Sequence, residues 1–411
     1  MIHTYKYRLS PTKKQQYAFG DVFFQMQTVY NDALNERRWA WQRSRRSINY
    51  YDQWNRMRNE RHALPDEMGM LNATSIQQML RRVDKACRAF YKGQRGAPRF
   101  KGRNRFKSVE YRHGDGCKLK GNRLYIQHVG DVRIRLHRPI PDDATIKQVI
   151  VKRSVGKWDV CFQLELPDST PVQHTGPAVG IDVGLHSLLA LSDGELIYNP
   201  RWLRTSLRKL RVDQRRLSRR KKFGYGWRKA TRQVARLQEH VANQRRDFWH
   251  KTTTDLAKTY SLIAVEDFSL AFMTHNGNLS LSVHDAALGM FRQFLSYKVE
   301  NTGSQIVGVN PRSTSQACSR CGVIVAKSLN VRVHYCSDCG VTLDRDINAA
   351  LNILALGLSV RASTYPNGDC VALEAPSLHL SRCLGIAGRV GHGGRQSGEG
   401  LHVLFSLGIL R

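Results

Sequence analysis

AVGIDVGLHSLLALSDG, residues 178 to 194, is the stretch on which the fold of this chain turns. An apolar run ends at Asp182, glycine follows at 184, and a second apolar run returns to Ser192-Asp193-Gly194. Short apolar runs bounded by turn residues form buried strands, so the stretch is a strand, a tight turn and a strand. Such a unit places one carboxylate on a strand that faces a neighbouring strand, with Gly184 leaving room for a backbone or a phosphate to approach. Alone it is equally an ordinary hairpin with a surface aspartate. Its meaning depends on where other acids fall.

Two further segments supply them. In SLIAVEDF, residues 261 to 268, an apolar run rich in strand-forming residues ends at Glu266-Asp267. An acid at the end of an otherwise buried strand is costly unless it is paired or metal-bound. LDRDINAALNIL, residues 343 to 354, opens a helix with Asp344 as the cap candidate and Asp346 as the inward ligand candidate. The sequence leaves the choice between those two acids open. Ala349 and Ala350 are small enough to let that helix lie close against a sheet. Asp182, Glu266 and Asp346, from two strands and a helix, are positioned to converge on two Mg²⁺ or Mn²⁺ ions, hard cations that prefer oxygen ligands. A metal pair about 3.5–4 Å apart activates a water on one side of a phosphodiester and stabilises the leaving oxygen on the other. No Ser or Cys triad competes with this reading.

The sharpest local signal precedes the third acid. Cys318 and Cys321 form one C-x-x-C pair, Cys336 and Cys339 a second, with 14 residues between the pairs. Four thiolates so spaced make a structural Zn²⁺ site, and Gly322 and Gly340 permit the tight turn after each pair. Saturated by four sulfurs, that site has no open position for catalysis. Of nine cysteines, the other five (Cys87, Cys117, Cys161, Cys370, Cys383) are scattered, unlike a disulfide framework.

Charge points to the partner. The 411 residues carry a formal net charge of +32, far beyond what solubility needs, and a compact state with that excess repels itself unless polyanions neutralise it. Nucleic acid is the expected partner. Neither a lipidation motif nor a long amphipathic helix supports a membrane-surface reading, the start MIHTYKYRLSPTKK lacks a secretory apolar core, and no run of 18 apolar residues occurs. The expectation is a soluble, intracellular protein of a reducing compartment.

Organisation follows from periodicity. From Pro11 to about Lys92 the pattern is helical, with apolar stripes at Val22, Met26, Val29/Tyr30 and Ala33/Leu34, and again at Ile76, Leu80, Val83, Ala86/Cys87 and Phe90. Arg81, Arg82, Lys85 and Arg88 line the outer face of the second stripe. Between Pro98 and about Asp168 short segments alternate, as in Trp158, Val160, Phe162 and Leu164 against Asp159, Cys161, Gln163 and Glu165, with turns at Gly121-Asn122 and Ser154 to Lys157. An antiparallel β domain, in barrel form, is expected there. Its first segment, PRFKGRNRFK at 98 to 107, interleaves Phe100 and Phe106 with basic residues, as a single strand of nucleic acid requires. Residues 169 to 176 read as a linker. Residues 201 to 250 hold 17 Lys and Arg against Asp213, Glu239 and Asp247, and form two basic helices around a turn at Phe223 to Gly226. After about Ser363 the pattern is lost and a flexible tail is expected.

The order of parts, with YRLSPTKKQ near the start, VYNDALN at 29 to 35, PRFK at 98 to 101, GIDVG at 180 to 184, NQRRDFWHK at 243 to 251, VEDF at 265 to 268, TSQACSRCG at 314 to 322 and DRDINAALNI, resembles the TnpB family. These are the insertion-sequence nucleases related to type V CRISPR effectors, and the resemblance runs to about residue 360. It implies an α/β RNase H-like (RuvC) nuclease domain at 176–312 and 343–362, with the basic helices at 201–250 and a zinc ribbon inserted at 313–342. It further implies an N-terminal wedge-like β-barrel domain, 1–15 and 96–172, carrying a helical recognition insertion at 16–95, and leaves 363–411 as tail. By the family motifs Asp182, Glu266 and Asp346 are the catalytic, metal-holding residues, and the partners are a guide (omega-type) RNA and target double-stranded DNA cut beside a short adjacent motif. The expected assembly is a monomer. TSIQQMLRR, residues 74 to 82, lies where similar proteins read that motif, which makes Gln77 or Gln78 the candidate for base contact. Arg99, Lys101, Arg215, Arg216, Arg219, Arg220, Arg245 and Arg246 are the candidate phosphate contacts. Two other readings compete: an RNA-guided regulator that binds without cutting, which has no need of three intact acids, and a transposase on the same fold.

Overall fold

The computed structural model describes residues 2–63, 71–102, 105–167, 174–267, 274, 277–310, 312, 314–328 and 330–364. The expected tail after Thr364 and most of the 169–176 linker lie outside the described residues. Among the described residues no helix is long and apolar enough to cross a membrane.

Thr12 starts the first helix. Its hydroxyl accepts from the Gln15 amide while the Gln15 side chain accepts from the Thr12 amide, a reciprocal cap that ends strand β1 (Ile2–Ser10) and opens α1 (Lys13–Ser44). The expected stripe of Val22, Met26, Val29, Tyr30, Ala33 and Leu34 is buried. With α2 (Tyr50–Ala63) and α3 (Ala73–Tyr91), α1 forms a helical bundle whose centre holds a polar network: Arg37 donates to Gln53 at 2.8 Å and to Asp84 at 3.1 Å. Phe90, expected in the core stripe, is instead 42% exposed at the end of α3, one turn beyond the last covered position, Cys87.

The bundle packs on a seven-stranded antiparallel sheet made of β1, β2 (Ser108–Arg112), β3 (Cys117–Lys120), β4 (Arg123–Ile126), β5 (Gly130–Arg135), β6 (Thr145–Ser154) and β7 (Lys157–Glu165), in the order β2-β6-β7-β1-β5-β4-β3. The two edge strands are neighbours in sequence, linked by four residues and bridged between Arg112 and Asp115. Both expected turns occur: Gly121 has φ +52, and Val155-Gly156 has φ +49 and +79, the left-handed pair that a two-residue hairpin requires. Strand β7 departs from simple alternation. Asp159 and Cys161 are buried along with Trp158, Val160, Phe162 and Leu164, and Asp159 is held by Lys6 at 3.3 Å and Arg8 at 3.2 Å from the adjacent β1. Phe106, expected to meet nucleic acid, is a core residue with its ring centre 6.3 Å from that of Phe23.

A second, mixed sheet follows: β8 (Ala178–Val183), β9 (Ser187–Leu191), β10 (Leu196–Tyr198), β11 (Leu262–Glu266) and β12 (Gln305–Val309), ordered β10-β9-β8-β11-β12. The first three strands are antiparallel, and β8, β11 and β12 are parallel. On one face lie α5 (Tyr225–Thr259) and α7 (Leu288–Thr302), packed through Trp249 and Phe291, with α6 (Gly277–Ala286) between them in sequence. The basic α4 (Trp202–Ser218) packs on α5. Of its expected leucine stripe only Leu210 is buried; α4 packs along α5 and touches α6 only near its start. On the other face lies α8 (Arg345–Thr364), which extends two residues past the expected boundary at 362. A small hairpin, β13 (Val333–Tyr335) and β14 (Thr342–Asp344), leads into it.

Candidate functional site

The first acid sits one residue before the end of β8 and the second is the last residue of β11. These strands are parallel, with Ile181 opposite Val265, so one step further Asp182 and Glu266 lie side by side at their carboxyl ends. The third arrives by close packing. A Cβ placed on Gly180 would come 2.1 Å from the Ala350 carbonyl oxygen and 2.5 Å from the Leu354 amide, and one on Gly357 would come 2.4 Å from the Ala264 Cβ. Only glycine at these positions lets α8 lie directly on β8 and β11. Ala349 and Ala350 are fully buried in that contact, as expected from their size. From Ala350 one helical turn back to Asp346, about 6 Å, matches the two strand residues from Gly180 to Asp182, about 6.6 Å. Asp346 thus reaches the acidic end of the sheet, where its charge acts on Asp182.

Asp344 and Asp346 then divide the work. The Asp344 side chain accepts from the Asp346 amide at 2.8 Å and the Ile347 amide at 3.4 Å, which makes it the cap of α8. The Asp346 carboxylate takes no part in this cap and lies 3.6 Å from the Arg332 guanidinium. Electrostatics register the convergence. Burial, then the neighbouring Glu266 and Asp346 charges, push the Asp182 carboxyl up from 3.8 to about 7, against the smaller opposing pull of Arg345 and the Val183 amide. Glu266 is raised by burial, partly offset by the Thr314 hydroxyl, which donates to its Oε1 at 2.5 Å. Asp182 and Glu266, both raised, stand with Asp346 as a set of oxygen donors alone, the chemistry that suits a hard divalent cation such as magnesium or manganese. Gly184 serves the turn itself, since a Cβ there would lie 2.7 Å from the Ser187 carbonyl oxygen.

Thr314 was not singled out from the sequence, although it opens the stretch TSQACSRCG. Neither were Asn348 and Asn352, which explain the motif DINAALNI. Asn348 is fully buried; its amide nitrogen donates to the Ala317 carbonyl at 2.8 Å and its oxygen accepts from the Ser319 amide at 2.9 Å. Asn352, one turn on, donates to the carbonyls of Thr314 and Ala317, both at 2.8 Å. Two asparagines four residues apart thus fix the loop bearing Thr314 and Cys318 to the helix bearing Asp346. Their i,i+4 spacing on one face of the helix is the signal the sequence offers.

The four sulfurs of Cys318, Cys321, Cys336 and Cys339 all lie within 4.8 Å of one another, the one such cluster of ligand atoms among the described residues. The two turns repeat each other: Gly322 donates to the Cys318 carbonyl and Gly340 to the Cys336 carbonyl, both at 2.9 Å, with φ +77 and +71. This is the glycine requirement expected from the sequence. Burial raises the Cys318 thiol, but the amides of Cys321 and Arg320, with His334 and Cys339, outweigh it and lower the group, while Cys321 and Cys339 are raised, so the first thiolate of the cluster settles on Cys318. The carboxylates of Asp182, Glu266 and Asp346 are not drawn together as tightly as these sulfurs.

Among the candidate nucleic-acid contacts, Arg99, Lys101, Arg215, Arg216, Arg219, Arg220 and Arg246 are exposed, and Gln77 and Gln78 are half-buried on α3. Arg245 has another role. It donates to the buried Asp285 at 3.0 Å, and Asp285 in turn accepts from the amides of Leu203 and Arg204, capping the start of α4.

A family described as "Probable transposase" matches residues 161–277, the "Cas12f1-like, TNB domain" matches 289–353, and a "Helix-turn-helix domain" matches 1–46, which here folds as one strand and one long helix. A relative from Streptomyces pristinaespiralis, named "Putative RNA-guided DNA endonuclease", is 34% identical over 385 residues, covering 92% of this chain and 94% of its own. This chain belongs to the TnpB family. A second TnpB relative, "Putative RNA-guided DNA endonuclease InsQ" of Escherichia coli K12, is 32% identical over 70% of this chain and 75% of its own. The solved Cas12f1–sgRNA–target DNA complex shares the fold at 15% identity, with a TM-score of 0.52 over 82% of this chain and 81% of that one. The TnpB chain therefore has the nuclease fold of the Cas12 effectors, with the cysteine cluster inside the region matched by the TNB domain.

Proposed function

We propose that this protein is an RNA-guided DNA endonuclease whose RuvC-type site is Asp182, Glu266 and Asp346. The observation that carries the reading is the meeting, at one end of the mixed sheet, of three acids spread from position 182 to 346, two of which push the carboxyl of the third upward. Those oxygens would hold a pair of Mg²⁺ or Mn²⁺ ions, which when bound activate water and stabilise the leaving oxygen of a phosphodiester. Thr314 holds the Glu266 carboxylate in one orientation, and Asp344 fixes the start of the helix that presents Asp346.

The four cysteines hold Zn²⁺ in a zinc ribbon at 313–342, which supports the loop carrying Thr314 rather than taking part in the chemistry. The seven-stranded sheet is the wedge-like barrel, a reading supported by edge strands joined through a four-residue turn and an Arg112–Asp115 bridge. The recognition insertion is 16–95, which takes in all but the first three residues of the α1–α3 bundle, and the nuclease domain is 176–312 with 343–362. A guide RNA and a matching double-stranded DNA are the partners, the DNA being cut next to a short motif read near Gln77 or Gln78. Arg99, Lys101, Arg215, Arg216, Arg219, Arg220 and Arg246 take phosphates, and the protein works as a monomer in a prokaryotic cytoplasm. A net charge of +32 fits binding to two long polyanions through backbone and shape while base pairing supplies the sequence code.

The test is to purify the protein with its bound RNA, sequence that RNA, and supply matching DNA with a randomised flank in Mg²⁺. Wild type is expected to cut beside one flank motif, and Asp182→Ala to retain the RNA and cut nothing. Cleavage by Asp182→Ala at the wild-type rate would remove Asp182 from the site, and purification free of any discrete RNA would end the guided reading.

A further inference from the structure

One stripe of α1 is unlike the rest of the helix. Asn31, Asn35, Arg38, Trp41, Gln42 and Arg45 recur at helical spacing on it, and no acid interrupts them. The extended segment 98–101 is seated along this stripe by side-chain bonds to its backbone. Arg38 donates to the Pro98 carbonyl at 2.5 Å, Asn31 and Gln27 donate to the Lys101 carbonyl at 3.0 and 2.7 Å, and the Lys101 amide donates to Asn31 at 2.8 Å. Seated in this way, Phe100 stays 46% exposed with the Arg38 guanidinium 4.7 Å from its ring centre. About one turn further, Trp41 is 50% exposed and the Arg45 guanidinium lies 5.6 Å from its ring centre. Arg45 is held there by a left-handed backbone, φ +52, with its amide bonded to the Trp41 carbonyl at 3.1 Å.

A single exposed aromatic residue needs no explanation. Two aromatic planes interleaved with guanidiniums, on an acid-free stripe and fixed by the packing of a second segment, do need one. Trp39 supplies the contrast on the same helix. It is 54% exposed with Arg43 3.8 Å from its ring, but Asp32 and Glu36 share its stripe and would repel a phosphate chain.

We propose that the stripe from Phe100 through Arg38 and Trp41 to Arg45 is a stacking platform for an unpaired stretch of RNA. Bases lie on the Phe100 and Trp41 rings, which are sequence-tolerant because every base has a π-face, and the phosphates lie along Arg45, Arg46, Arg99 and Lys101. Unpaired, splayed-out bases are required because within a duplex the faces of each base are covered by its stacked neighbours. The platform stands formed in the protein alone, which suits RNA, the polyanion the chain carries before any DNA arrives. The proposal rests on the RNA-binding reading above and assigns that reading a site on the helical bundle.

The full chain, freed of co-purified RNA, is titrated against fluorescein-labelled polyuridine of about 20 nucleotides and followed by anisotropy. Trp41→Ala and Phe100→Ala are each expected to weaken binding about five- to a hundredfold, with an unchanged slope against log salt because no charge is removed. Arg45→Gln lowers that slope by roughly 0.7. Trp41→Tyr restores affinity, and Trp39→Ala leaves it at the wild-type value. If wild type binds no RNA, the RNA-guided reading fails and the platform with it. If wild type binds and Trp41→Ala binds equally well, the platform alone is overturned. An equal loss in Trp39→Ala removes the stripe as the site, and a loss confined to single-stranded DNA removes RNA as its occupant. Unchanged melting of Trp41→Ala, expected for a half-exposed ring at a helix end, separates a lost contact from a lost fold.

Discussion

Asp182 is the residue at which fold and function pull against each other. Its carboxyl stands at about 7 in the fold against an ordinary 3.8, so the fold favours the neutral acid. The stability this gives is complete below about pH 4 and is lost as pH rises through about 7, where the charge must form in a half-buried site beside Glu266 and Asp346. Asp182→Asn should therefore raise the stability of the metal-free protein at pH 8 by roughly 1–3 kcal/mol and leave it unchanged at pH 4, as measured by denaturant melts. Mg²⁺ should stabilise wild type at pH 8 and not this variant. A variant that melts like wild type at pH 8 would show that the acids do not burden one another. Thr314 makes a second prediction at this scale. Thr314→Val leaves Glu266 without its hydroxyl donor and should slow cleavage about tenfold, Thr314→Ser should restore the rate, and equal rates in all three would remove the contact from catalysis. Acids at strand ends are legible because a charge ending an apolar run is costly and therefore conspicuous. A threonine in a loop carries no such pattern, and neither does Phe106, whose basic neighbours concealed a residue packed against Phe23.

Among the elements, α8 does most to assemble the site, through residues that carry no charge. Gly180 and Gly357 let it touch the sheet, and Asn348 and Asn352 tie it to the loop leading into the cysteine turns. Gly180→Ala should cost about 1–3 kcal/mol of overpacking and abolish cleavage by pushing Asp346 away from Asp182. Wild-type melting and wild-type rate together in that variant would refute the close-packing argument. The cysteine turns reach the site along the same connection. Cys318→Ser should leave the protein with less than one zinc per chain and a lower melting temperature, and should slow cleavage through Thr314, though no cysteine touches the acids. Unchanged zinc content and melting would refute the metal site. Strands, helices and turns here were readable from periodicity and glycine because they obey local rules. The burial of Asp159 in β7 was not, because its partners Lys6 and Arg8 come from a strand about 150 residues away.

For the molecule as a whole, a charge of +32 sets two opposite responses to salt. Alone, the protein repels itself, and ions that screen this repulsion relieve it. Bound to RNA, the same lysines and arginines have displaced condensed counterions, and added salt returns those ions and weakens the complex. Melting temperature should therefore rise with NaCl for the RNA-free protein and fall for the complex, the two curves converging at high salt. At low salt the bound RNA should raise the melting temperature, since a ligand bound only by the native state stabilises it in proportion to its occupancy. Screening alone explains a rise in the free protein, whereas a fall in the complex requires phosphate contacts. If both curves rise together, the basic surface spread from α4 and α5 to the 98–107 segment is merely solvated and has no polyanion partner. That outcome would undo the nucleic-acid reading even if the three acids still held their metals.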